Sequence, residues 1–584
     1  MQSLSPRFAS VLVLLTLLGC ADNEDEIRQL QSQQRQRVQT QAAQDHLGET
    51  FALLARLVEL NPAQAERQIV YHLNRWREGK TVPATPPSPL LKTVSDVFSS
   101  TLATERIKHE NFVNGDLEHL RNAYVFDRVV RWIDHPRSDD PLLADWINQQ
   151  EQRLTDEAAR QLRTAARLFD WTVRNVAYEP MQLTDPAPAA PEMSPGLVFR
   201  GGGYRQTDYQ ALWRGTGDAM QRAAVFTQLC RQVSIPAFLL ALQPSTTAPP
   251  APWAVGTLIG DEVYLFEPEL GSYIPGPDSV GIATLREARQ DKSVLRRLNI
   301  PGFFEYPLTS QDIQQSVALL NVLPEAISPR MQLLQSGLTG DRRMVVYQEV
   351  DRLAAEIDDV SGIAGVRFWH IPYLAEIYQR DIQAGIERDP MLMFWYQSQW
   401  SIMDAPVSTS QQLSLGRWRH LHGEFDGDER ENREGARQLY LRQRAPEFEI
   451  ADLPINVDLQ QAYGIRRDAQ TTNEVFNYQI QVAQQQMRLG KQTATYWISL
   501  IHYDDQRFDT AETWLTHRVL AEEHSSQRWD SAARYNLART LEQLGRPQEA
   551  IEIYKTEGQA NEHGNRLRAR LVSRGSEDPD DALE

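Results

Sequence analysis

Thiol chemistry needs three groups close together: a sulfur nucleophile, an imidazole that takes its proton, and an acid that orients the imidazole. This chain has two cysteines and 12 histidines in 584 residues. Cys20 closes an apolar N-terminal run, and Cys230 lies inside Ala219-Met220-Gln221-Arg222-Ala223-Ala224-Val225-Phe226-Thr227-Gln228-Leu229-Cys230-Arg231-Gln232-Val233. Ala219, Ala223, Phe226, Cys230 and Val233 recur at steps of four, three, four and three, one face of a helix. Cys230 therefore reads as a core thiol about three turns from the helix start, where free cysteine is usually buried. No histidine occurs between His135 and His370, so no local base faces that helix. Thr216 and Asp218 are the polar groups at its start that could stand in for a nucleophile.

Other chemistries have thinner support. His109, His119 and His135 are scattered without metal-ligand spacing. His420-Leu421-His422 with Asp426-Gly427-Asp428 is either a solvated loop or a sparse metal site, and it lacks the closing Glu of a calcium loop. Gly201-Gly202-Gly203 lacks the Gly-Lys-Ser/Thr ending of a phosphate loop and reads as a flexible turn. No metal and no cofactor is expected. A net charge of −18 argues against nucleic acid, which demands clustered Lys and Arg.

Asp218 with Gln221 three residues on forms a capping box that starts the helix. Ser234-Ile235-Pro236 ends it. Phe238–Leu242 reads as a buried strand, and Ala254–Ile259 and Val263–Phe266 as a hairpin turning at Gly260-Asp261. The long helix Asp156–Val176 precedes them. Leu229-x-Arg231-x-x-Ser234-Ile235-Pro236-Ala237, Trp253-Ala254-Val255 and Glu267-Pro268 resemble the transglutaminase-like core of the papain-like superfamily over roughly residues 160–276. In that family the helix opens with the nucleophilic Cys, and the hairpin carries His and Asp. The resemblance puts Ala219 at the nucleophile position, Pro252 at or beside the His position and Glu267 at the acid position. It implies the fold without the family's Cys-His dyad. The proline-rich stretch Pro244–Pro252 is expected as a loop across the cleft.

Residues 1–20 pair Arg7 with an apolar run, Ala9–Leu18, of about ten residues, half of what a bilayer span needs. The run ends Leu17-Leu18-Gly19-Cys20, which resembles a bacterial lipoprotein signal and implies lipidation at Cys20. Ala21 after it implies the outer membrane. Residues 21–45 form a polar tether. Residues 46–150 read as helical, 151–300 as the transglutaminase-like α+β domain, and 310–470 as a further helical region. Asp341–Asp359 is expected as one helix, and the aromatic stretch 368–400 as core between helices or, less often, a binding groove. In 471–575, Tyr535–Tyr554 with Ala538, Gly545, Ala550 and Tyr554 resembles a tetratricopeptide repeat, with an earlier copy ending near Ala511. Residues 576–584 form an acidic tail.

The fold class is thus multidomain and mainly α, with one α+β domain and C-terminal α-hairpin repeats. The leading expectation is a non-catalytic, lipid-anchored envelope protein that faces the periplasm and binds a protein or peptide on its repeats. The alternative is a transglutaminase- or cysteine-peptidase-like enzyme acting on peptides or amides with non-standard residues.

Overall fold

The computed structural model describes residues 45–83, 90, 101–133, 139–180, 189, 202–243, 250–404, 410–430, 432–444, 447–463, 465, 467–468, 471–521 and 527–576. Cys20, the tether before Asp45 and the tail after Ser576 lie outside them. The chain is mainly α with a small mixed sheet. Among the described residues no helix is long and apolar enough to cross a membrane.

Helices α1 (His46–Ala55) and α2 (Pro62–Arg77) form a hairpin in which Asn61 caps α2 and Pro62 opens it. Helix α3 (Asp116–Ile133) is anchored by a buried ion pair, both Asp116 carboxylate oxygens accepting from Arg330 at 2.6 and 2.9 Å. Helix α4 (Asp156–Asn175) is capped by Thr155 and buries one long face, as its apolar spacing predicts. The short strand β1 (Ala177–Tyr178) follows, then α5 (Asp208–Arg214), β2 (Thr216–Gly217) and α6 (Ala219–Gln232). Strands β1 and β2 pair in parallel, which brings the end of α4 to the start of α6.

The main sheet holds β3 (Ala237–Leu242), β4 (Ala251–Ile259), β5 (Glu262–Glu267), β6 (Ser272–Tyr273), β7 (Ser316–Leu320) and β8 (Ile363–Phe368). Their order is β6-β5-β4-β3-β7-β8, antiparallel except for the β7–β8 pair. Phe169 of α4, Phe226 of α6 and Phe266 of β5 meet with ring centroids 4.9–5.1 Å apart, so one aromatic knot joins both helices to the sheet.

Three expectations are corrected. Pro252 lies inside β4, opposite Ala241, rather than in a loop. The β5 partner of β4 begins only at Val255, so at Pro252 one strand edge is unpaired and the missing N–H leaves no gap in the ladder. Residues 310–470 are not all helical: β7 and β8 come from that span and complete the sheet. The helix expected over Asp341–Asp359 starts only at Val350. Before it, side chains claim the backbone: Val345 N–H donates to Gln232, and Val346 and Tyr347 N–H both donate to Gln335 Oε1 at 2.9 Å.

Helices α7 (Ile371–Ile386) and α8 (Pro390–Gln399) carry most of the aromatic stretch. Helix α9 (Gln411–Leu421) buries His420 against Tyr440, while His422 packs on Tyr124 and Trp418. Helix α10 (Ala436–Gln443) leads toward α11 (Asn473–Asp504), one continuous rod through Gly490. A side chain at Gly490 would meet Gln443, so the glycine admits α10 to close contact.

The C-terminal hairpins follow: α12 (Phe508–Trp514) after α11, then α13 (Gln527–Gln543), α14 (Pro547–Tyr554) and α15 (Glu562–Ser576). Ala511, Ala538 and Ala550 are fully buried at the helix contacts, and Gly545 makes the turn at φ +71°. These helices lie against α4. Arg539 pairs with Asp170, Arg174 with Asp170 and Asp504, and Arg568 with both Asp140 and Glu542. Asn536 Nδ2 donates to the Arg174 carbonyl at 3.1 Å. The two arginines of the last hairpins hold Asp140 well below the usual carboxylate range against the opposing effect of its burial.

Candidate functional site

Helix α6 starts where it does because Asp218 and Gln221 close a reciprocal box. Gln221 N–H donates to Asp218 Oδ1, and Asp218 N–H donates to Gln221 Oε1, both at 2.9 Å. The second Asp218 oxygen accepts from Gly203 N–H. A Cβ at Gly202 would fall 1.9 Å from that oxygen, so glycine at 202 is what allows the close approach. One turn further, the buried Arg222 guanidinium donates to the carbonyls of Val176 at 2.9 Å and Pro268 at 3.3 Å. It ties the end of α4 and the end of β5 to the first turn of α6. Burial without an ion-paired carboxylate brings its pKa down to about 10.

The three positions singled out in the sequence come together. Ala219, Pro252 and Glu267 line one cavity of about 280 Å³, with Trp253, Tyr306 and His563. Ala219 brings a methyl group from the first residue of α6, and Pro252 a pyrrolidine ring from β4. Glu267 closes β5 and is 5 % exposed. Burial raises its pKa from 4.5 to about 8, and neighbouring Glu269 adds to the rise, so the carboxyl is largely protonated at neutral pH. Leu270 N–H donates to its Oε2. The Tyr306 hydroxyl donates to the Trp253 carbonyl at 3.4 Å.

His563 escaped the sequence reading because it sits in the C-terminal hairpins, nearly 300 residues from Glu267. Helix α15 brings it in. Its Nε2 lies 2.7 Å from the Leu298 carbonyl, and its ring stacks on Phe304 at 4.6 Å. That carbonyl assigns the proton to Nε2 and leaves the lone pair on Nδ1.

Cys230 is elsewhere. It is fully buried in the α6 face, and desolvation alone pushes its thiol well above the usual range. It is not part of the cavity. Thr216 is buried in β2 and Asp218 is committed to capping.

A second cavity, of about 180 Å³, lies behind the same turn. Asp218 and Gln221 line it with Tyr378, Trp395, Gln399 and Trp400. A third, of about 290 Å³, sits at the opposite end of α6 between Arg231, Asn321 and Tyr347. It is remote from the three matched positions.

Compared with protein-family models, curated proteins and solved structures, the chain matches none.

Proposed function

We propose that the chain is a non-catalytic, lipid-anchored envelope protein, held to the outer membrane through Cys20 and facing the periplasm. Its transglutaminase-like domain and tetratricopeptide-like hairpins serve as binding and scaffolding surfaces. One observation carries the reading. The cavity at the start of α6 has a methyl at Ala219 and a ring without a proton acceptor at Pro252, where thiol acyl transfer needs sulfur and imidazole. The buried acid Glu267 keeps its proton at neutral pH and so cannot orient an imidazolium. The ion pairs on α4 occupy the inner faces of α11 and α13, so a partner docks on the outer faces of α12 and α14. The stable anchor is physically required to be multiple: one acyl chain gives only marginal binding.

The test is a pair of measurements. Purified full-length protein is assayed for amidase and transamidase turnover on peptide amides, with none expected. The double variant Ala219→Cys with Pro252→His is then assayed for thiol alkylation, and a gain is expected. Turnover by the natural protein would overturn the reading. Crosslinking in envelope extracts is expected to return one protein partner at fixed stoichiometry, and its loss on charge reversal at Glu512 would locate the face.

The enzyme alternative rests on one feature, the Nδ1 lone pair of His563 in the same cavity. Its sign would be peptide-amide turnover that His563→Gln abolishes.

A further inference from the structure

The aromatic stretch that the sequence assigns mainly to core does something more. Tyr378 and Trp395 are buried, yet with Trp400 they wall the second cavity. Trp395 meets Trp400 at 6.2 Å and 76°, so two indoles form a corner. Behind Trp400 the Arg214 guanidinium lies 3.8 Å from the ring centre, held by Gln206 at 3.0 Å and Tyr396 at 2.7 Å. The corner is braced before any ligand arrives.

Its polar groups are unspent. Gln221 is 4 % exposed, and its Oε1 serves the helix cap; among the described residues its Nε2 amide donates to nothing. Trp395 is 8 % exposed, and its buried indole N–H has no acceptor among the described residues. The Gln399 side chain, also on the wall, makes no hydrogen bond among the described residues. Buried donors without partners are uncommon and cost about 1–3 kcal/mol each. The Trp395 N–H is such a donor, and with the Gln221 and Gln399 amides beside it the cavity offers three donors to the acceptors of a ligand.

Charge narrows the class. Glu179 and Asp218 line the cavity beside Arg205, and Arg214 backs one indole. A cation would meet Arg205 and the indole face already shared with Arg214. An anion would meet two carboxyl groups. A neutral ligand with an apolar face and a rim of hydroxyls meets neither objection. Its C–H face lies on an indole, and its hydroxyls and ring oxygen take the amide and indole donors while donating to Glu179. The volume, about 180 Å³, is below the ~300–1,000 Å³ of pockets for drug-sized ligands and fits one ring.

We propose that the cavity behind the first turn of α6 is a saccharide site that takes a single pyranose ring of a glycan. The Trp395–Trp400 corner is the stacking platform, and the Gln221, Gln399 and Trp395 N–H groups are the hydroxyl and ring-oxygen readers. This assignment stands on the cavity alone and does not need the transglutaminase-like reading or the lipid anchor.

The experiment is calorimetric titration of the full chain, with tryptophan fluorescence in parallel. The probes are chitotriose and maltotriose, and choline chloride is the cation control. At least one sugar is expected to bind with a Kd of about 1 mM or below and to change tryptophan emission. Trp395→Phe keeps the stack and removes the N–H; Gln399→Ala removes an amide that makes no hydrogen bond among the described residues. Each is expected to weaken that sugar roughly fivefold, the value of one hydrogen bond; Gln399→Ala does so without moving the thermal midpoint, whereas Trp395→Phe also lowers it through the volume lost from a buried site. The assignment is overturned if neither sugar binds at about 20 mM, if both variants bind as tightly as the natural chain, or if choline binds more tightly than either sugar.

Discussion

Two cavities share the first turn of α6 as a wall, and they have opposite characters. In front, Ala219, Pro252 and the protonated Glu267 offer few groups that could react, and the one imidazole, His563, arrives from the far end of the chain. Behind, Gln221, Trp395 and Gln399 offer donors that meet no acceptor among the described residues. One helix start can therefore present a chemically quiet face and a recognition face. The capping box between Asp218 and Gln221 is the partition: Asp218 gives its two oxygens to Gln221 and Gly203 N–H, and Gln221 gives its Oε1 to the cap and its amide to the rear cavity.

Substitutions that attack one face at a time sharpen the contrast. The largest effect belongs to Glu267. Its folded pKa of about 8 lies above the ordinary 4.5, so the stability of the neutral form is fully present below about pH 4.5 and is lost as pH rises through 8. The span corresponds to a loss on the order of 5 kcal/mol. Glu267→Gln is expected to reduce the fall of the urea midpoint between pH 5 and 8; Glu376, raised to about 8 by burial, and His370, His422 and His502, lowered to about 4 by burial, keep the remaining pH dependence. An unchanged pH slope in the variant would mean that the front cavity is wetter than its geometry says.

Arg214→Ala comes next. It removes bonds to Gln206, Tyr396 and Asp404 and the support behind Trp400. A loss of about 2–3 kcal/mol in chemical unfolding is expected, with altered tryptophan emission and an intact front cavity. Asp218→Ala strikes the shared wall and is expected to cost about 1 kcal/mol, the usual value of an N-cap, while disturbing both cavities by releasing Gly203. The smallest effect on stability belongs to Ala219→Cys, which adds one sulfur beside open volume. Its thiol, at a helix N-terminus, is expected to alkylate faster than a free cysteine at pH 7, whereas buried Cys230 stays inert in the same assay.

The local devices were legible in the chain because each is written within a few residues. Asp218 and Gln221 announce the α6 start, Gly260-Asp261 the hairpin, Asn61-Pro62 the α2 start and Gly545 the last inter-helix turn. Periodicity also placed Cys230 on a buried face. Reading failed where a distant partner overrides a local pattern. The apolar run Ser316–Leu320 carries no sign that β3 is waiting for it, and the residues before Val350 look helical until Gln232 and Gln335 take their N–H groups.

The candidate sites divide along the same line. Sequence alone determined which residues occupy the start of α6 and the end of β5, and hence that no Cys or His stands at those positions. Only the tertiary structure decided that His563 joins Ala219 and Glu267, and that Trp395 and Trp400 turn from core into cavity wall. The physical reason is range. Caps and turns are settled by hydrogen bonds a few residues long, whereas a cavity is what remains between surfaces whose packing depends on every element they touch.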